Sequence, residues 1–378
     1  MNQLLLLAPL LLAVPHPARP TSAPAQAVTD KVPWFAGSLE SAVEQAKSKN
    51  AIVLAFYRTE QDPECSTMSR TTFSDDRVVA ALAKVVCVRI EPNTLTPMAS
   101  RIPIKHLPVL VWFNPDGSPR DRLDGRYDPD PFLAEAARIV NDIGTIGDLR
   151  RRLAGRKDDV GAHFQLFQKL RSVGDEEGMN EQKAIILRLD PEGRSRARMR
   201  MRYDEITSAI EKHWAEKGEL PMDKVGELRT FVELQDDPEI LWDGWMRLAN
   251  THDYLERQAV GKPEEAKSHR EKRRDCLSRA WRGVPQEKTF LLNWCLGTSE
   301  IFWSRRDELS EADKSFFLAM TLRMVQLFDS QAEAFSYRAR ALRLAGKRED
   351  AIAAARKAVE IAPDDPKYKK LLENLQGL

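Results

Sequence analysis

Gly346 and Pro363 stand 17 residues apart, and Gly174 and Pro191 repeat that spacing. Around each pair, apolar residues recur at helical intervals. In the later copy Phe335, Ala339 and Leu342 precede the glycine, and Ala351, Ala355 and Ala358 follow it. In the earlier copy Phe164, Phe167 and Leu170 come first, then Ala184, Ile185 and Leu187. Glycine allows a tight turn, small side chains let two helices approach closely, and proline stops the second helix. Such a unit cannot bury its apolar face alone and must stack on others. Beyond residues 143–147 no strand-like alternation survives. Helices are predicted over 197–216, 222–234, 238–257, 263–283, 287–303 and 311–328.

Residues 332–365 resemble a tetratricopeptide repeat, whose period is about 34 residues, and residues 160–192 resemble a more degenerate copy. The segment from Pro366, with Tyr368, Leu371, Leu372 and Leu375, reads as a capping helix, and Asp365 suits its N-cap. The resemblance implies an all-α helical array over 145–378 that presents surfaces to protein or peptide partners.

Residues 31–143 have a different rhythm. Leu39, Ala42, Val43 and Ala46 keep helical spacing behind Ser38, a suitable N-cap. Residues 51–57 and 85–90 are continuous apolar runs of strand length, as expected for strands covered on both faces. Residues 109–113 form a third, and Asn114-Pro115-Asp116-Gly117 then predicts a hairpin. A short helix at 78–82 and a final amphipathic helix at 130–143 complete a mixed sheet with helices on both faces.

The order Trp34, Leu39-Glu40-x-Ala42-x-x-x-Ala46-Lys47, buried strand, Cys65-x-x-Met68, Thr72-Phe73-Ser74-Asp75-x-x-Val78, second strand, Leu107-Pro108 and Phe113-Asn-Pro-Asp-Gly117 resembles a thioredoxin-fold protein. It is most similar to an exported branch whose members carry Trp-Cys-x-x-Cys-Lys after the first buried strand. The fold class implied is an α/β thioredoxin-like domain over 28–143, followed by the helical array. The resemblance also makes Leu107–Pro108 the family's cis-proline loop, which faces the redox centre and offers backbone groups to an extended peptide.

The departure lies at the active site. Aligning Cys65 with the family's second cysteine puts Asp62 where the nucleophile should be and Gln61 where the tryptophan should be. A carboxylate cannot form a mixed disulfide, so the dithiol cycle is closed to this chain. Asp62-Pro63 instead suits an N-cap and a first helical position. Cys65 would then be the third helical residue. Glu60, Asp62 and Glu64 would disfavour its thiolate. Two readings of Cys65 stand: a small core thiol, or a catalytic or sensing cysteine acting alone beside Asp62 and Pro108. Cys87, on a strand, reads as inert core.

Cys276 and Cys295 fall on neighbouring predicted helices and would be bridged only if their positions in space allowed it. Trp214, Trp242, Trp245, Trp281, Trp294 and Trp303 are either packing or a peptide-binding aromatic groove. The basic residues Arg194, Arg196, Arg198, Arg200 and Arg202 spread over more than one helix side and read as a solvated face. Lys plus Arg (58) nearly balances Asp plus Glu (57), which argues against nucleic acid as the main partner. The histidines show no metal-ligand spacing, and phosphate-loop, dinucleotide and nucleophile-elbow motifs are missing. No cofactor and no metal are expected.

Residues 4–14 form an apolar run closed by prolines, and Ala25-Gln26-Ala27 has the small-x-small pattern of signal-peptidase sites. About 11 apolar residues suit a secretory core and fall short of the roughly 20 that span a bilayer. Residues 1–27 are therefore read as a signal peptide, although the first three residues lack a basic side chain, with no stable membrane insertion after cleavage. The expected location is periplasmic or extracellular. The expected function is a non-catalytic interaction protein. The alternative is a single-cysteine thiol-disulfide oxidoreductase or redox sensor acting through Cys65.

Overall fold

A computed structural model describes residues 30–91 and 95–377. The expected signal peptide lies outside the described residues. These residues form two compact units, one ending at Met199 and the other running from Arg200.

The first unit is built on a four-stranded sheet of β1 (Val53–Tyr57), β2 (Val86–Ile90), β3 (Val109–Phe113) and β4 (Pro119–Asp124) in the order β2-β1-β3-β4. β1 pairs parallel with β2 and antiparallel with β3, and β3 forms the expected hairpin with β4. Every residue of β1 and β3 is buried. The strand period of two sends alternate residues to opposite faces. Val53, Ala55, Tyr57, Val109 and Val111 join one core, while Leu54, Phe56, Leu110 and Trp112 join the other. Two covered faces are why these strands read as unbroken apolar runs.

α2 (Pro63–Thr71), α3 (Asp76–Ala81) and α4 (Pro129–Val140) cover the Trp112 face. α1 (Leu39–Lys49), capped by Ser38, covers the other. That second face takes a further layer from outside the expected α/β segment. α5 (Ile146–Gly155) supplies Ile146, Leu149 and Leu153, and α6 (Val160–Ser172) supplies Ala162, Leu166 and Leu170. The change from strand to helix period near residue 144 therefore does not end the compact unit. The first helical hairpin, α6 with α7 (Glu176–Leu189), belongs to it. The buried residues of α7 are Gln182 and Ile186, whereas Ala184 and Leu187 face solvent. The expected repeat register was one or two residues off on this helix.

The second unit is all helix and turn among the described residues: α8 (Arg196–Lys217, begun in the first unit), α9 (Met222–Glu233), α10 (Pro238–Gln258), α11 (Pro263–Ala280), α12 (Lys288–Ser304), α13 (Glu311–Leu327), α14 (Ala332–Leu344), α15 (Arg348–Ile361) and α16 (Pro366–Gln376). α9, α10 and α11 pack in succession, as do α12 to α16, and α12 also meets α14 as α11 meets α13, the stacking of a tetratricopeptide-like array. The α14–α15 hairpin buries Ala339, Ala351, Ala355 and Ala358 completely. Its turn residue Gly346 has φ +72°, a conformation that favours glycine. Asp365 caps α16, and Tyr368 and Leu375 close the array.

Trp245 is buried with Arg279 stacked on it, and Trp242 and Trp281 both pack against Trp294. Arg200 pairs with Glu239, and Arg202 with Glu205 and Glu227, which disperses the basic stretch. Among the described residues, no helix is long and apolar enough to cross a membrane.

Candidate functional site

β1 delivers the chain to α2 through five residues, the last of which, Asp62, stands in extended conformation immediately before the helix. Its carboxylate accepts a hydrogen bond from the Cys65 backbone N–H at 2.8 Å. Pro63 takes the first helical position, where no N–H is needed. Cys65 and Met68, on the inner side of α2, are fully buried among Phe56, Leu110 and Phe73. Burial pushes the Cys65 thiol up to about 11, with Asp62 adding to the shift against the Thr59 backbone and Arg58. Glu64 turns away to pair with Arg126 at 2.9 Å. Leu107–Pro108 is cis, as the resemblance implied.

Beside the Asp62 cap lies a cavity of about 460 Å³. Tyr57, Ile90, Ile104 and Leu107 give it apolar walls, and Asp62, Lys105 and His106 supply polar groups. The fully buried Cys65 is not part of its lining. Lys105 is exposed and makes no ion pair among the described residues, while His106 stands 3.7 Å from Asp124.

The 101–107 segment that lines this cavity is fastened from several sides. Tyr57 donates its hydroxyl to the Ala99 carbonyl at 3.2 Å. Arg122 on β4 donates to the carbonyls of Pro103, at 2.7 Å, and of Ser172, at 2.6 Å. Gly174, at φ +75°, follows α6 so closely that a Cβ there would lie 2.3 Å from the Arg101 carbonyl oxygen. The first helical hairpin thus braces the loop that would hold a ligand. The same hairpin is anchored by Asp121, 1% exposed, whose carboxylate lies 2.5 Å from Lys169 and 2.8 Å from Arg138.

Burial at α2 disfavours the Cys65 thiolate. The recess beside it combines apolar walls with one carboxylate, one ammonium and one imidazole in its lining. Of the residues singled out in the sequence, Asp62 lines the recess, Cys65 lies buried on α2 outside its lining, and Pro108 follows Leu107 through the cis bond. The sequence did not single out Tyr57, Ile104, Lys105, Arg122 or Gly174 as parts of the site. Gly174 was visible only as a turn residue. Nothing in a one-dimensional pattern says that its turn abuts Arg101.

Cys87, Cys276 and Cys295 are buried, and burial pushes each up to about 12. All four cysteines are free, so Cys276 and Cys295 are unbridged. Among the described residues no three His, Cys, Asp or Glu side chains cluster as a metal site.

Residues 34–115, which run from Trp34 into the β3–β4 turn, match the Thioredoxin-like family. No curated protein matches the chain. Among solved structures, the chain is similar to the crystal structure of MamA protein, at 16% identity over 55% of this chain and 94% of that one, with a TM-score of 0.24.

Proposed function

We propose that this chain is an exported, non-catalytic interaction protein whose thioredoxin-like unit and helical array bind protein or peptide partners. The observation that carries this reading is the exchange of roles at α2. A capping carboxylate occupies the nucleophile's place, the remaining thiol is sealed beneath the helix, and a recess of about 460 Å³ stays open beside them. Ligand recesses are typically mostly apolar with a few placed polar groups, and this one follows that pattern. An extended peptide laid along the 101–107 loop would seat an aliphatic side chain against Ile90, Ile104 and Leu107. Its charged neighbours would meet Asp62 and Lys105. Export rests on the apolar run at 4–14 and the Ala25-Gln26-Ala27 motif.

The test is a screen of peptides against the immobilised full chain, followed by titration of the best binder. Ile104→Glu puts a charge into the recess and should weaken that peptide at least tenfold, with an unchanged circular dichroism spectrum. Equal affinity for wild type and Ile104→Glu would place the binding surface elsewhere.

A further inference from the structure

The helical unit contains a polar cavity of about 110 Å³ bounded by α10, α11 and α12. Arg270, Arg273 and Arg274 of α11 line it together with Arg305, which follows α12. Glu256 of α10 is the single carboxylate in the lining. Four guanidinium groups line this one small cavity with a single carboxylate among them, although protein carboxylates already pair with three of the four.

Three of these cations are fixed by protein carboxylates, Glu256 of the lining among them. Arg270 donates through Nε to Glu308 at 2.8 Å and through Nη1 to Glu256 at 3.2 Å. Arg274, only 2% exposed, donates through Nε to Asp313 at 3.2 Å and through Nη2 to the Glu308 carbonyl at 3.0 Å. Its Nη1 makes no hydrogen bond among the described residues. Arg273 pairs through Nη1 with Asp253 at 2.5 Å, which leaves its Nε and Nη2 available. The Arg305 side chain is exposed and has no ion pair among the described residues. Carboxylates thus hold the guanidinium planes while free N–H groups remain, the pre-organisation that oxyanion recognition requires.

The geometry points to a binding site for hydrogen phosphate, or for a phosphoryl group that carries a proton. A planar carboxylate is satisfied by one guanidinium fork. Donors from three positions of α11 and from Arg305 suit the several oxygens of a tetrahedral anion better. The cavity has room for several waters, and therefore for one such anion. Glu256 adds selectivity. A carboxylate repels an anion that is all acceptor, but it accepts a hydrogen bond from a P–OH group. Sulfate has no such hydroxyl at neutral pH, and a phosphomonoester, whose second pKa is near 6, is mostly without one.

Isothermal titration of the full chain at pH 7 and constant ionic strength tests this. Inorganic phosphate should bind, with sulfate and glycerol phosphate each at least fivefold weaker. Free phosphate and a phosphoester headgroup are thereby told apart. Arg305→Gln removes an exposed, unpaired cation and should leave the thermal unfolding midpoint unchanged while weakening phosphate at least tenfold. Glu256→Gln should bring phosphate and sulfate together. Absence of phosphate binding to the wild type, equal binding by Arg305→Gln, or sulfate binding as tightly as phosphate to the wild type would overturn the proposal.

Discussion

Asp62 and Cys65 are joined across the first turn of α2 by a 2.8 Å hydrogen bond from the Cys65 backbone N–H to the Asp62 carboxylate. The Asp62 side chain thus starts the helix, and Cys65 takes part through its backbone N–H. Removing the carboxylate should cost about 0.5–2 kcal/mol, the usual value of an N-cap, and Asp62→Asn should restore most of it. Urea denaturation of Asp62→Ala and Asp62→Asn measures both. A neutral Asp62→Ala would show that the cap contributes nothing here.

Asp121 lies buried between Lys169 and Arg138. Breaking a buried pair from one side strands the opposite charges, so Asp121→Ala should destabilise by about 3 kcal/mol. Replacing Lys169 by Met in the same chain should recover part of that loss, because one stranded cation is removed. Additive losses in the double variant would mean that the two side chains do not act as a pair.

Gly174 and Gly346 both have positive φ in the turn of a helical hairpin, but only Gly174 abuts backbone. Gly346→Ala should cost about 1–2 kcal/mol for the left-handed conformation alone. Gly174→Ala should cost more, since the new methyl must displace Arg101. It should also weaken peptide binding at the recess that the 101–107 loop lines. Equal costs for both variants, measured by thermal unfolding, would remove the brace from the account.

His252 is buried on α10, with its Nδ1 3.2 Å from that of His269 on α11. Burial, with His269, Lys272 and Arg229 nearby and Asp275 opposing them, pushes its pKa down to about 4. The folded value lies below the unfolded 6.5 or so, so the unfolded state takes up the proton first. Stability should therefore be complete above pH 6.5 and fall as the pH drops toward 4, by on the order of 2–3 kcal/mol. Unfolding curves at pH 7 and pH 4.5 measure the loss, and His252→Gln should flatten it.

The two kinds of local period made the architecture readable. The unbroken runs at 51–57 and 109–113 meant strands covered on both sides, and the glycine–proline spacing meant helical hairpins. Asp62 was readable as a cap because N-cap preference is set by its immediate neighbours. What stayed hidden depends on contacts far apart in sequence. Asp121 looked like an ordinary polar residue of an edge strand until Lys169 and Arg138 closed over it. The α5 and α6 apolar faces gave no sign that their partner was the sheet rather than the next repeat. His252 and His269, 17 residues apart on different helices, showed no ligand-type spacing and yet lie side by side.

The central claim is that the α2 site does not work through a thiol, and insulin-disulfide reduction tests it most directly. With dithiothreitol as reductant, the full chain and Cys65→Ser should both match the protein-free rate. A Cys65 thiol held near 11 leaves only about one part in ten thousand as thiolate at pH 7. Turnover by the wild type that disappears in Cys65→Ser would contradict the claim and make the single-cysteine oxidoreductase the correct reading.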